Sequence, residues 1–228
     1  MTTNSPLLSL VGVLGIVNEK LHEAKDYLQE MEKVKSNPKV FRSRLSAFLA
    51  AAHSVTDFVK KHGTRYAKQI GKETQFSEWY KSKEDLFRVP NRFNSKKVKN
   101  TGTDTIWVYL TAARHETIHV QQINLYEQHE FEVKGRLIVH ENHSYSFEIE
   151  QDNGTIEIVE PMKGQQPVLK AVDTGKRAWV FMSLTVTDQH GNYVATLQPP
   201  TTDVITVCKD HIEKLEHFIE ECKTVLEY

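Results

Sequence analysis

Cysteine is scarce in this chain, and so is any net excess of charge of one sign. Only Cys208 and Cys222 occur among the 228 residues. Fourteen residues apart on one helix, they stand about 21 Å from each other and cannot pair within it. Both fall on an apolar stripe, so they are expected to be buried thiols in a reducing compartment. The formal net charge is -1, which excludes a global positive field as the basis for holding nucleic acid and leaves only local grooves for that purpose. No apolar run is long enough to span a bilayer. The longest, residues 6–17, has no basic residue ahead of it and no small-residue cleavage site after it. It continues into Leu21, Ala24, Leu28 and Met31, so a buried helix is expected there. The expectation is a cytoplasmic protein with no membrane partner. Internal repeats and low-complexity tracts are lacking, and residues 121–200 hold neither a glycine-rich phosphate loop nor a nucleophile elbow, which argues against an independent enzyme there.

What is present is helical periodicity, interrupted once. Apolar residues at 14, 17, 21, 24, 28 and 31 alternate in steps of 3 and 4, and Pro38 ends that helix by disfavouring helical geometry before it. Phe41, Leu45, Phe48, Ala52, Val55 and Val59 mark a second helix, with His62-Gly63 as its expected stop. A third, shorter helix runs from Phe76 through Trp79 and Tyr80 to Leu86. Thr103, Asp104 and Thr105 are candidate N-caps for a fourth, carrying Ile106, Leu110 and Ala113 inward. Residues 121–200 then change texture. Strand-like alternation appears around Phe131, Tyr145 and Thr155, with Asp152-Asn153-Gly154 and His190-Gly191-Asn192 as turns and Pro199-Pro200 at the close. A last helix carries Ile205, Cys208, Ile212, Leu215, Ile219, Cys222 and Leu226 on one stripe, expected to pack on the first two. The expected fold is α+β: an α-helical up-and-down bundle over residues 1–120, a β-rich insert or subdomain over 121–200, and a C-terminal helix over 201–228 that packs back on the bundle.

Two chemical patterns overlap at the end of the fourth helix. His115-Glu116-x-x-His119 places two histidines on one helical face with a glutamate between them, the arrangement of a zinc hydrolase. A zinc site needs a third ligand. The extended pattern fails, because position 122 is Gln and 125 is Leu, and only His129, His140 or His143 could be recruited by folding. Arg114-x-x-x-x-His119 is the other pattern. As a string it is weak: with eight arginines and eleven histidines, roughly one match to an arginine and a histidine with four to six residues between them is expected by accident. Arg136 and His143 form another, in a strand-and-turn region. Positions 114 and 119 are about 140° apart around a helix, so the arginine's reach has to close the gap. Arg114 and Glu116 can also be read as surface ion-pair residues, and His119 as a cation favoured by the helix C-terminus. Residues 88–102, with Arg88, Arg92, Lys96, Lys97 and Lys99, read either as a solvated loop or as a cationic edge for a phosphate backbone.

Context favours the arginine frame. The helix FRSRLSAFLAAAHSVT, with its Leu45-Ser-Ala-Phe-Leu49 core, resembles the second helix of the HEPN superfamily. Phe76-x-x-Trp79-Tyr80 is similar to the aromatic stretch that follows it, and Arg114…His119 stands at the end of a later helix, where that family places its motif. The resemblance covers roughly residues 8–120 and the C-terminal helix. Where many members have Asn after the arginine, this chain has His115. The resemblance implies a homodimer and a metal-independent endoribonuclease without cofactor. Its composite site would take Arg114 and His119 from each protomer, with His115 and Glu116 assisting; on the cationic-edge reading above, Arg88, Arg92, Lys96 and Lys97 would hold RNA. It also implies, as alternatives, a non-catalytic dimerising or RNA-binding module, and a toxin–antitoxin setting with a cognate antitoxin or partner protein.

Overall fold

The computed structural model describes residues 8–89, 103–119, 125–134, 155–158, 169–187, 193–200 and 203–227. Its order is α1 (Leu10–Lys33), α2 (Pro38–Phe58), a π-helical turn (Val59–Gly63), α3 (Thr64–Gln69), α4 (Glu73–Phe87), α5 (Thr105–His119), β1 (Leu125–Lys134), β2 (Thr155–Ile158), β3 (Leu169–Phe181), β4 (Leu184–Thr187), β5 (Tyr193–Leu197) and α6 (Val204–Glu227). The fold is α+β and dominated by helix. Among the described residues no helix is long and apolar enough to cross a membrane. The chain divides into two compact units, one of residues 1–126 with 179–228 and the other of residues 127–178.

In the first unit α1, α2 and α6 bury the stripes their spacing creates, and α1 and α2 start at side-chain caps. The Ser9 side chain accepts from Gly12 N at 3.0 Å and starts α1, which buries Val13, Val17, Leu21, Ala24, Leu28 and Met31. Leu14, expected inward, is only partly buried, and Val13 takes its place. Asn37 caps α2 through Val40 N at 3.2 Å, with Pro38 in the first turn where its missing N–H costs nothing. All six expected residues of the second stripe are buried. Helices α1 and α2 make the most extensive helix–helix contact, and α6 packs on α1, α2, α4 and α5. The expected C-terminal stripe is buried throughout, with Val204, Val207, His211 and Phe218 added to it.

His62-Gly63 does not stop the second helix. The chain passes through the π turn into α3 without leaving helical geometry, and the stop comes at Gly71, whose φ of 76° suits glycine. Gly63 is needed for packing instead. A Cβ there would lie 2.4 Å from Phe76 Cζ and 2.7 Å from Cε2. Phe76 is itself buried, with Trp79 and Tyr80 ring centroids at 5.4 and 6.3 Å, so it has little room to withdraw. Gly63→Ala is therefore expected to lower stability. Overpacking costs about 1–3 kcal/mol and outweighs the ~1 kcal/mol of helix propensity that alanine adds. Urea melts would show this, and Phe76→Leu in the same chain should recover part of the loss.

The strand-rich region expected over 121–200 is not one body. The unit of residues 127–178 holds most of a three-stranded sheet of order β1-β3-β2, in which β2 pairs antiparallel with β3 from Thr155↔Val172 to Ile158↔Leu169. Strands β4 and β5 form a separate antiparallel pair that belongs to the helical unit, where β4 packs on α5. The expected turns at 152–154 and 190–192, and the alternation at 145–150, lie outside the described residues.

Candidate functional site

Helix α5 is the element on which both sequence patterns stand. Asp104 accepts from Trp107 N at 3.0 Å through its side chain and caps the helix, while its other oxygen takes a 2.5 Å bond from Lys214 of α6. Burial alone would raise the Asp104 carboxyl, but these two donors hold it below its ordinary value. Residues 107–113 are then buried without a gap. A helix covered on every side shows no polar face, which is why its sequence carries a run of apolar and small residues rather than a stripe. Ile106, expected inward, is partly exposed, whereas Leu110 and Ala113 are buried. Tyr109 lies against Phe181, with ring centroids at 5.1 Å, and its hydroxyl donates to the Met182 carbonyl.

Arg114 is the first residue beyond this buried run. It is partly buried, and its Nε lies inside the protein with no hydrogen-bond partner among the described residues. Helix α2 packs against α5 and brings His53 and Asp57 into play, the imidazole Nε2 standing 3.5 Å from Asp57 Oδ2. Burial lowers the His53 pKa first; Asp57 pulls it back up, and the Arg114 charge pushes it down again. The structure therefore places the guanidinium within electrostatic reach of a half-buried histidine that is kept neutral. His53 and Asp57 were not anticipated as site residues. Their spacing of four on a helix was visible, but their relation to Arg114 depends on how α2 meets α5.

His115, Glu116 and His119 are helical in backbone, and the motif occupies the end of α5 as expected, but their side chains lie outside the described ones. Arg88 lies just past α4 and is ion-paired with Asp85, so part of its charge is already neutralised. Arg92, Lys96 and Lys97 lie outside the described residues. So do His140 and His143, and so does the side chain of His129. The side chains of the zinc pattern, and its possible third ligands, lie outside the described ones. Among the described residues no group of three His, Cys, Asp or Glu could hold a metal, and the next described element after α5 is a strand rather than a ligand-bearing helix.

His211 of α6 lies deeper. It is 3% exposed, its ring meets Trp107 edge-on at 5.5 Å, and its Nδ1 has no hydrogen-bond partner among the described residues. Burial pushes its pKa down to about 3, with Lys214 adding to the shift and Asp104 opposing it. The two cysteines are free and buried as expected. Burial raises the Cys222 thiol to about 12 and moves Cys208 in the same direction, so neither supplies a thiolate near neutral pH. Comparison with protein-family models, with curated proteins and with solved structures finds no match to this chain.

Proposed function

We propose that the chain is a metal-independent endoribonuclease of HEPN-like architecture. In this reading it works as a homodimer, with Arg114 and His119 of each protomer forming one composite site. The observation that carries the reading is the state of Arg114. It stands at the end of a buried helix, five residues before His119, with a desolvated guanidinium nitrogen that no described residue satisfies. RNA cleavage without metal needs a base for the 2′-hydroxyl proton and a cation for the charge that grows on phosphorus. Histidine titrates in the right range for the first task, and a guanidinium forks onto two phosphate oxygens for the second. His115 and Glu116 assist, and Arg88, Arg92, Lys96 and Lys97 hold RNA beyond the site. A cytoplasmic setting and a cognate antitoxin or other partner protein belong to the same reading.

The test is cleavage of RNA in EDTA. The expected products carry 2′,3′-cyclic phosphate ends, and Arg114→Ala and His119→Ala are each expected to reduce the rate by about a hundredfold or more. Activity that survives both substitutions sinks the nuclease. The partial burial of Arg114 also suits a second reading, a non-catalytic HEPN-like module that dimerises or holds RNA. A dimer formed through α5 that binds RNA and cuts none of it would select that module.

A further inference from the structure

Residues 59–72 contain five cations, Lys60, Lys61, Arg65, Lys68 and Lys72, and no Asp or Glu. In a chain with a net charge of -1 this clustering is local, and the fold decides which charges are free. The π turn and α3 bury Val59, Gly63 and Ala67, residues four apart, against the bundle. Lys61, Arg65 and Lys68 are left exposed. Lys60 is committed elsewhere, with Nζ 2.9 Å from Glu84 Oε1 and 5.1 Å from the Tyr80 ring centroid. No ion pair engages the other three among the described residues. From Lys61 to Lys68 the stripe covers about 10 Å. Beyond its far end Lys72 holds Nζ out of solvent with no hydrogen-bond partner among the described residues.

The local field is positive, and His62 reports it. Its pKa is lowered by partial burial and then by Lys61 and Arg65, with no carboxylate acting against them. The surroundings also select the kind of polyanion. A helix that binds a membrane surface needs a free apolar face to insert, and here that face is spent on the bundle. Of the residues between and beside the cations, Thr64 and Gln69 are polar and exposed, and Ile70 is the one large apolar side chain of this segment among the described exposed hydrophobics. Point charges at helical spacing with a single exposed apolar side chain in the segment fit a phosphodiester backbone better than a bilayer surface. The stripe also lies on the helical run that carries His53, eight residues and about 12 Å before Lys61.

We propose that Lys61, Arg65 and Lys68 form a track for the backbone of single-stranded RNA. The choice of RNA as the polyanion rests on the nuclease reading. The test is fluorescence anisotropy of a labelled 20-nucleotide oligouridine, with His119→Ala in every chain so that the RNA stays intact. Lys61→Gln, Arg65→Gln and Lys68→Gln are introduced together. Three lost phosphate contacts at about 0.7 each are expected to reduce the salt slope, log K against log [salt], by about 2, which corresponds to roughly a hundredfold weaker binding at 0.1 M salt. The melting midpoint should not move, because all three side chains are exposed. RNA binding with an unchanged slope overturns the track and leaves the nuclease in place. Track-dependent binding, together with no cleavage of RNA by the chain that retains His119, overturns the nuclease and leaves the track. Absence of RNA binding at 50 mM salt overturns the track, as does stripe-dependent capture by phosphatidylserine vesicles without RNA binding.

Discussion

Stability is expected to fall steeply between pH 6.5 and 4.5, and His211→Leu is expected to flatten most of that fall. The folded chain holds the His211 imidazole neutral, at a pKa of about 3, because the ring is buried against Trp107 and the Asp104 carboxylate offsets only part of the desolvation and of the Lys214 charge. Unfolded, the same imidazole takes a proton near its ordinary value of about 6.5. Over that window the unfolded state binds more protons than the folded one, so stability rises with pH and is lost as pH falls. One proton is worth about 1.4 kcal/mol per pH unit. The unfolded imidazole is already half protonated at pH 6.5, so His211 alone removes about 2.3 kcal/mol between pH 6.5 and 4.5, and more toward pH 3. His53, whose pKa is also lowered, adds a contribution of the same sign. The Asp104 carboxyl is held below its ordinary value and loses its proton-linked stability only at lower pH. Urea unfolding at half-unit intervals across this window isolates the histidines. His211→Gln, neutral at every pH and still polar, separates the loss of titration from the loss of packing. A slope in His211→Leu equal to that of the unaltered chain would show that His211 is not the group responsible.

How much of this was legible beforehand depends on whether a residue's role is set by its neighbours in sequence or by its neighbours in space. The stripes of α1, α2 and α6 were visible because each helix buries one face, and period 3.6 is what one buried face writes into a sequence. Helix α5 carries no such record. Residues 107–113 are buried all round, so the stripe assigned to Ile106, Leu110 and Ala113 had no polar face to contrast with. Gly63 was misread for a related reason. A glycine after a helical stripe signals a stop, but here the neighbour is the ring of Phe76, thirteen positions later, and only folding reveals it. Alternation identified β4 and β5 as strands without saying which body they join, because a period of 2 specifies a face and not its partner. At the site, Arg114 was legible as part of a motif at a helix end. His53 was not, since at the end of the alanine run 50–52 it has meaning only through α2 packing on α5.

Within the helical unit, Trp179 joins three segments through one side chain and its backbone. Trp179→Ala is expected to destabilise the helical unit by about 3–5 kcal/mol, the range for deleting a large buried aromatic. Trp179 stands where β3 re-enters that unit and is 4% exposed. Its ring stacks on Phe41 at 5.4 Å and 20°, with the Arg42 guanidinium 6.0 Å from the ring centroid. Its Nε1 donates to the Lys35 carbonyl at 2.9 Å, which ties down the turn between α1 and α2. Its backbone N–H donates to Asp203 Oδ1 at 3.3 Å, while Oδ2 of the same carboxylate accepts from Ile205 N at 3.1 Å and Thr206 N at 3.3 Å and caps α6. Alanine keeps the backbone bond and loses everything else, leaving a cavity beside Phe41 and a carbonyl at Lys35 without its donor. Trp179→Phe separates the two losses. It retains an aromatic ring for the stack and removes only the indole donor, so it should cost about 0.5–1.5 kcal/mol plus a smaller packing loss. Against a total stability of about 5–15 kcal/mol for an ordinary domain, the alanine variant should show a clear drop in urea midpoint, with faster amide exchange at Val34 and Asn37 in the α1–α2 turn. A loss below about 1 kcal/mol in Trp179→Ala would mean that the α1–α2 pair and the α6 cap hold together without this contact.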